Sequence, residues 1–172
     1  MLEVREATPA DVSAIAEINV RGWQVAFRHL FPAEFLDAMD PEEREPLIEE
    51  MVRRGHPHHV AVAVEEDRVV GYVMLGPPLT EDLDASRIHE VYSLYIDPDR
   101  VGTGLGRRLM DHALEYLRVG GWDYAVLWTL RDVERTSRFY EAAGWFLDGA
   151  EKVEEIPEGN PMVEVRYRID LH

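Results

Sequence analysis

The 172-residue sequence has no cysteine. That absence removes disulfides, thiolate nucleophiles and cysteine-ligated zinc, and it accords with a reducing cytoplasm, the expected location. Lysine is nearly missing as well. Lys152 stands alone beside seventeen arginines (18 basic residues less one), so a bound anion would be met by guanidinium forks. Positive charge is scarce overall, with 18 basic against 34 acidic residues and a formal net charge of -16. Nucleic acid is therefore an unfavourable partner, and cationic partners are favoured. The sequence also lacks any run of roughly 20 apolar residues such as a membrane span requires. Its start, Met1-Leu2-Glu3-Val4-Arg5, has no basic stretch followed by an apolar one, so neither secretion nor membrane anchoring is expected.

What is present is ordinary globular composition, 46% hydrophobic and 30% charged. One domain over residues 1–172 is expected, large enough to bury roughly 70% of its unfolded surface. Leu2 and Val4 alternate with Glu3 and Arg5 as in a strand, and Thr8-Pro9 reads as a helix cap and first helical position. Val12, Ile15, Ala16 and Ile18 supply that helix with an apolar stripe. Trp23, Phe27, Phe31 and Phe35 continue it at spacings that place them on one helical face, mostly as core, with part available to line an acceptor pocket. Asp40-Pro41 starts a second helix, which runs to about Arg54 and stops near Gly55.

Residues 59–64 and 68–75 are β-branched or apolar runs around Glu65-Glu66-Asp67, the signature of a hairpin. Residues 87–96 read as a further strand. A helix follows with Leu105, Leu109, Ala113 and Leu117 on its buried face, ending at Gly120-Gly121. Residues 124–128 form a short buried strand, 133–143 a helix ending at Gly144, and 151–161 a polar loop. In the last segment Val163, Val165, Tyr167 and Ile169 alternate with charged residues, which predicts a strand with one solvated face. The element order β-αα-β-β-β-α-β-α-β mixes hairpins with crossovers, so an α/β chain with a mixed sheet is expected.

The turn Val101-Gly102-Thr103-Gly104-Leu105-Gly106 joins a strand to a helix. Free backbone amides, a positive helix end and glycines that permit close approach suit such a turn to phosphate. Arg100, Arg107 and Arg108 add positive charge beside it. A tight turn without a ligand would have the same spacing. The glycines fall at every second residue, which does not fit a dinucleotide fingerprint, and no Gly-Lys-Ser or Gly-Lys-Thr follows as in a nucleotide P-loop.

The stretch Ile96-Asp97-Pro98-Asp99-Arg100-Val101-Gly102-Thr103-Gly104-Leu105-Gly106-Arg107 resembles the acyl-CoA-binding signature of the GNAT superfamily of N-acetyltransferases. Downstream, Phe139-Tyr140-Glu141 before Gly144-Trp145 resembles a second motif of that family. The segment from Trp23 to Pro32 resembles the substrate-side helices of a bacterial branch. Two positions depart: Val101 stands where the family usually has Gln or Arg, and Val133 where it often has Asn.

The resemblance implies a GNAT-like fold, a central, twisted, mostly antiparallel sheet of about six to seven strands flanked by helices. It also implies an N-acetyltransferase using acetyl-CoA and a primary amine, with no metal. Backbone amides of Leu94, Tyr95 and Ile96 would then hold the pantetheine arm and the thioester carbonyl. Arg100, Val101, Gly102, Thr103, Gly104, Leu105, Gly106 and Arg107 would hold the pyrophosphate, with Ser137 and Tyr140 completing the coenzyme site. Tyr140 would protonate the departing thiolate; a core tyrosine beside Phe139 and Tyr124 is the plain alternative. Glu90 is the candidate base, with a charge balance to Arg87 or a base role for His89 as competing readings. His56, His58 and His59 suit a solvated loop better than a metal site. The acceptor would be a small cationic amine or a peptide or protein amine. A non-catalytic acyl-CoA sensor on the same fold remains an alternative, and a homodimer through a sheet edge is open.

Overall fold

The computed structural model describes residues 1–155 and 161–172. Its centre is a seven-stranded sheet in the order β1-β2-β3-β4-β5-β7-β6. The strands are β1 (Leu2–Glu6), β2 (His59–Glu65), β3 (Arg68–Gly76), β4 (Ile88–Ile96), β5 (Tyr124–Leu130), β6 (Phe146–Glu154) and β7 (Met162–Asp170). All neighbours are antiparallel except β4 and β5, which are parallel because α4 (Leu105–Gly120) crosses between them. Helices α1 (Val12–Ala26), α2 (Ala33–Asp37) and α3 (Pro41–Arg54) follow β1, and α5 (Glu134–Ala142) follows β5.

Each start signal in the sequence has a physical counterpart. Asp11 accepts from the Thr8 amide at 2.8 Å and from Arg5 of β1 at 2.8 Å, tying the first strand to the first helix. Asp40 accepts from the Glu42 amide at the head of α3, with Pro41 at its first position. Glu66 and Asp67 both take positive φ, the two-residue geometry that matches the twist of the β2–β3 hairpin.

Alternation along β2 sends Ala61 and Ala63 to one face and Val60 and Val62 to the other, so the strand is buried on both sides. Against the first face lies the predicted stripe of α4: Leu105, Leu109, Ala113 and Leu117, all buried, with Met110 and Leu114. Against the second lie α1 and α3, through Ile15, Ala16, Ile18, Ile48 and Met51. Fully burying a side chain of this size contributes about 1.5–3 kcal/mol, so the two layers hold the first half of the sheet firmly.

Four expectations need correction. The 151–161 loop begins later than expected, because β6 continues through Glu154; residues 156–160 lie outside the described residues. β6 is an exposed edge strand, so it carries no alternating apolar signal. The outward face of β7 is not simply solvated. Arg166 is buried, pairs with Asp148 at 2.5 Å and Asp82 at 3.3 Å, and lies over the Trp128 ring. A register shift between Leu147 and Glu151 in β6 brings Asp148 to it. The four aromatics Trp23, Phe27, Phe31 and Phe35 do not share one helix, since α1 ends at Ala26 and α2 starts at Ala33. Finally, His59 opens β2, as the 59–64 run predicts, but it is buried and not part of a solvated loop, its Nε2 lying 3.1 Å from that of His112 on α4.

Candidate active site

The site begins where the sheet comes apart. β4 and β5 pair only over Ile88, His89 and Glu90 opposite Tyr124, Ala125 and Val126. Immediately beyond Glu90, β4 carries a bulge: Met74 faces Ser93 while Leu75 faces Val91, leaving Tyr92 as the extra residue. A bulge bends and twists its strand, and from this point β4 and β5 diverge. Leu94, Tyr95 and Ile96 stay paired to β3 on one edge and face the gap with the other. Backbone donors on that edge are free of ladder bonds.

The gap opens at the glycine turn. Asp97 ends β4 as a buried anchor: its amide donates to Val70, and its carboxylate accepts from Asp99 and Arg68 and lies 3.3 Å from Arg21. Burial works against the charged form, but the Asp99 amide and the two arginines outweigh it and hold the carboxyl below its usual range. Gly102 and Gly104 take φ of 84° and 83°, with open space where a Cβ would stand. Gly106 is different. A Cβ there would meet Phe139 of α5 at 3.3 Å, so this glycine serves helix packing. The amides of Leu105, Gly106 and Arg107 find no acceptor among the described residues. At the positive end of a 16-residue helix they form a ready anion cradle, which fits the pyrophosphate of an acyl-CoA.

A cleft of about 1230 Å³ runs from this turn along the gap, more than a drug-sized ligand alone requires. Leu94, Tyr95, Ile96, Val101, Gly102, Gly104, Gly106, Arg107 and Tyr140 line it. Arg107 is tied to Asp111 at 3.0 Å and to the Ala142 carbonyl at 3.3 Å. Arg100, Thr103, Leu105, Ser137 and Glu90 do not line it. Arg100 turns to Glu65 at 3.0 Å, Thr103 caps the Arg100 carbonyl, Leu105 packs in the core, and Ser137 bonds back to Val133.

Tyr140 packs among Phe139, Trp145 and Tyr167, not beside Tyr124. Its hydroxyl has no protein partner among the described residues, and burial, aided by Tyr167, pushes its pKa up to about 12. Glu90 is buried and accepts from the Leu79 amide at 2.8 Å; burial raises its pKa. Arg87 is engaged elsewhere, with Asp123. His89 is fully buried on Trp122, its Nε2 held by the Pro57 carbonyl at 2.7 Å, and is absent from the cleft.

The far half of the cleft combines the aromatics that the sequence offers for an acceptor pocket with four residues that it does not single out. Trp23, Phe27, Phe31 and Phe35 make a continuous aromatic wall, with ring centroids 4.8–5.9 Å apart. Tyr95 presses so closely on α1 that a Cβ on Gly22 would lie 2.5 Å from its ring. Asn19, Arg44, Trp128 and Glu164 also face the cleft. No local motif marks these four; each lies on a different element, and only the fold brings them together.

A sheet split beside a phosphate-type turn is the architecture of a coenzyme A-dependent acyltransferase. The family model described as "Acetyltransferase (GNAT) family" matches residues 20–145, and the chain belongs to that family of acetyltransferases. It is 27% identical over 143 residues to the uncharacterized N-acetyltransferase YuaI of Bacillus subtilis, covering 83% of this chain and 79% of that one. It is 31% identical over 121 residues to the L-amino acid N-acyltransferase MnaT of Escherichia coli, covering 68% and 63%. The fold is similar to that of yncA from Salmonella typhimurium, solved with acetyl-CoA, at a TM-score of 0.76 and 22% identity over 100% of this chain and 95% of that one.

Proposed function

We propose that this protein transfers the acetyl group of acetyl-CoA directly to an amine held in the same cleft. One observation carries the reading: the gap between β4 and β5 joins, in a single cleft, the unpartnered amides at the head of α4 to a separate aromatic chamber. A protein that only sensed an acyl-CoA would need the first part and not the second.

Acetyl-CoA supplies an activated thioester. The residues of the chain then have three tasks. Alternation along β4 turns the Asp97 and Tyr95 amides to β3 and those of Leu94 and Ile96 to the gap, where they donate to the carbonyl oxygen as it gains charge. The N–C bond forms as the C–S bond breaks, and Tyr140 donates its proton to the departing sulfur. Its raised pKa keeps the phenol protonated at neutral pH, and its free hydroxyl leaves that proton available. The ammonium gives up one proton before attack and the nitrogen a second as the amide forms, one to the base and one to solvent. Glu90 accepts from the Leu79 amide and does not line the cleft, so a part as base would need a relay and not direct contact.

Thiol release from acetyl-CoA in the presence of amines tests this reading, and a cysteine-free chain adds no thiol background. Binding can be checked first. At a hundred times its dissociation constant, acetyl-CoA should add about 2.7 kcal/mol and raise the melting temperature by roughly 2–4 °C. Free CoA should do the same and ATP should not. No shift at millimolar coenzyme would overturn the reading.

A further inference from the structure

Arginine in this protein is almost always neutralised. Among the described residues, thirteen of the seventeen arginines have a carboxylate within 4.0 Å. Three of the remaining four, Arg108, Arg118 and Arg135, are exposed and therefore solvated. Arg44 is the exception: half-buried, without a carboxylate, and lining the cleft. In a chain with 34 acidic residues, a partly desolvated guanidinium left without a counter-ion is a costly arrangement unless a ligand supplies the negative charge.

Its surroundings hold it in position without neutralising it. Nη1 donates to Asn19 Oδ1 at 3.1 Å, Asn19 in turn donates to the buried Tyr72 hydroxyl at 2.8 Å, and the guanidinium lies 5.7 Å from the centroid of the Trp23 ring. Only one of five N–H donors is used by a protein side chain, which leaves an edge able to take a planar carboxylate in two parallel bonds. A carboxylate, Glu164 of β7, lines the same cleft, but it is paired with Lys152 at 3.4 Å and burial raises its pKa. Both charges act on the phenol of Tyr95, whose pKa burial raises far above the usual range; Arg44 opposes that rise and Glu164 adds to it. The cleft thus presents one positive group without a carboxylate partner beside a half-buried ring.

We propose that the acceptor is an amino carboxylate, a small molecule bearing a carboxylate beside its amine and an apolar side chain, and that Arg44 is the receptor for that carboxylate. The side chain rests on Trp23 and Phe27, which line the cleft beside it. This inference rests on the acetyltransferase reading and narrows it: the net charge of -16 attracts cations from a distance, while Arg44 selects among amines inside the cleft.

The test compares amino acids with their carboxamides and with the matching amines that lack a carboxyl group, on wild type, Arg44→Gln and Arg44→Lys. For wild type, kcat/KM should favour the free acids by about 10- to 100-fold, the value of a charge-assisted bond pair. Arg44→Gln should raise the acceptor KM by a similar factor and erase the preference, while the KM for acetyl-CoA stays unchanged; Arg44→Lys should retain part of it. Equal use of acids and amides by wild type, or an unchanged acceptor KM in Arg44→Gln, overturns the inference and leaves the acetyltransferase reading intact. Calorimetric titration of amino acids into the CoA-saturated protein reads the same residue without turnover. Binding that Arg44→Gln abolishes supports the inference even if thiol release fails; no binding, or binding that the substitution does not change, overturns it.

Discussion

The cleft has two halves made in different ways. The half proposed for the coenzyme comes from one unbroken stretch, the end of β4 through the head of α4, and its exposed groups are backbone amides placed by a bulge, a buried aspartate cap and two glycines of positive φ. The half proposed for the acceptor is lined by Asn19, Trp23, Arg44, Trp128 and Glu164, which lie on four elements, and its exposed groups are side chains. A backbone-built surface is insensitive to most side-chain changes and sensitive to any that alter φ and ψ. A side-chain-built surface behaves the opposite way, so the two halves should separate cleanly under mutation.

The largest effect should fall at Tyr140, where the halves meet. Tyr140→Phe removes one oxygen and should lower kcat by about 10²- to 10⁴-fold, the usual worth of general acid catalysis, while leaving the KM for acetyl-CoA near its wild-type value. The pH profile sharpens the point. A raised pKa means the proton-bearing form persists above the ordinary tyrosine range, so the rate should not fall near pH 10 but only as pH approaches about 12. Full turnover in the phenylalanine variant with chemistry rate-limiting would remove Tyr140 from the reaction; a loss centred near 10 would mean instead that burial does not raise its pKa.

The glycine turn comes next. At Gly104, φ is 83° and no neighbour blocks a Cβ, so Gly104→Ala isolates backbone strain, a cost of about 1–2 kcal/mol. It should raise the KM for acetyl-CoA roughly 10-fold and spare the acceptor KM. Gly106→Ala meets Phe139 at 3.3 Å in ordinary helical geometry and should do less to coenzyme binding than Gly104→Ala. Phe27→Ala should show the mirror image, a several-fold rise in acceptor KM with coenzyme kinetics untouched, since aromatic contacts of this kind contribute about 0.5–1.5 kcal/mol beyond area. Steady-state kinetics varying each substrate in turn reads all three.

This contrast also explains what could be read without a structure. The helix stripes of α1 and α4, the capping residues Thr8 and Asp40, the hairpin turn and the final strand depend on local spacing, and each stands where its spacing put it. The glycine turn depends on consecutive residues and was equally legible. Arg44 was not, because it sits in Pro41-Glu42-Glu43-Arg44-Glu45, where it looks like one more solvated charge; only the packing of α3 on α1 brings it to Asn19 and the cleft. β6 escaped notice for the same reason, its pairing being with β7 and its own pattern carrying no periodicity. The sequence puts His59 both at the start of the 59–64 strand and in a histidine-rich loop; its burial has no local signal because its partner, His112, is 53 positions away.

That histidine pair supplies the smallest effect and a control for the others, since it lies away from both halves of the cleft. His59 stacks on Tyr116 at 4.0 Å and faces His112, both from α4, with His56 reaching the Tyr116 hydroxyl at 3.0 Å. Burial, with a smaller contribution from His112, lowers the His59 pKa to about 4. An unfolded histidine titrates near 6.5. Between these values the unfolded chain holds a proton that the folded one does not, so stability is full above pH 6.5 and declines as pH falls toward 4. His59→Gln should flatten that decline by on the order of 1 kcal/mol, once screening by nearby solvent is allowed for. Denaturant midpoints measured from pH 7 to pH 4.5 would show the flattening, whereas both KM values at pH 7 should match wild type. A changed KM for either substrate would mean that the two halves are coupled through α4 to the far end of the sheet, and the separation argued above would fail.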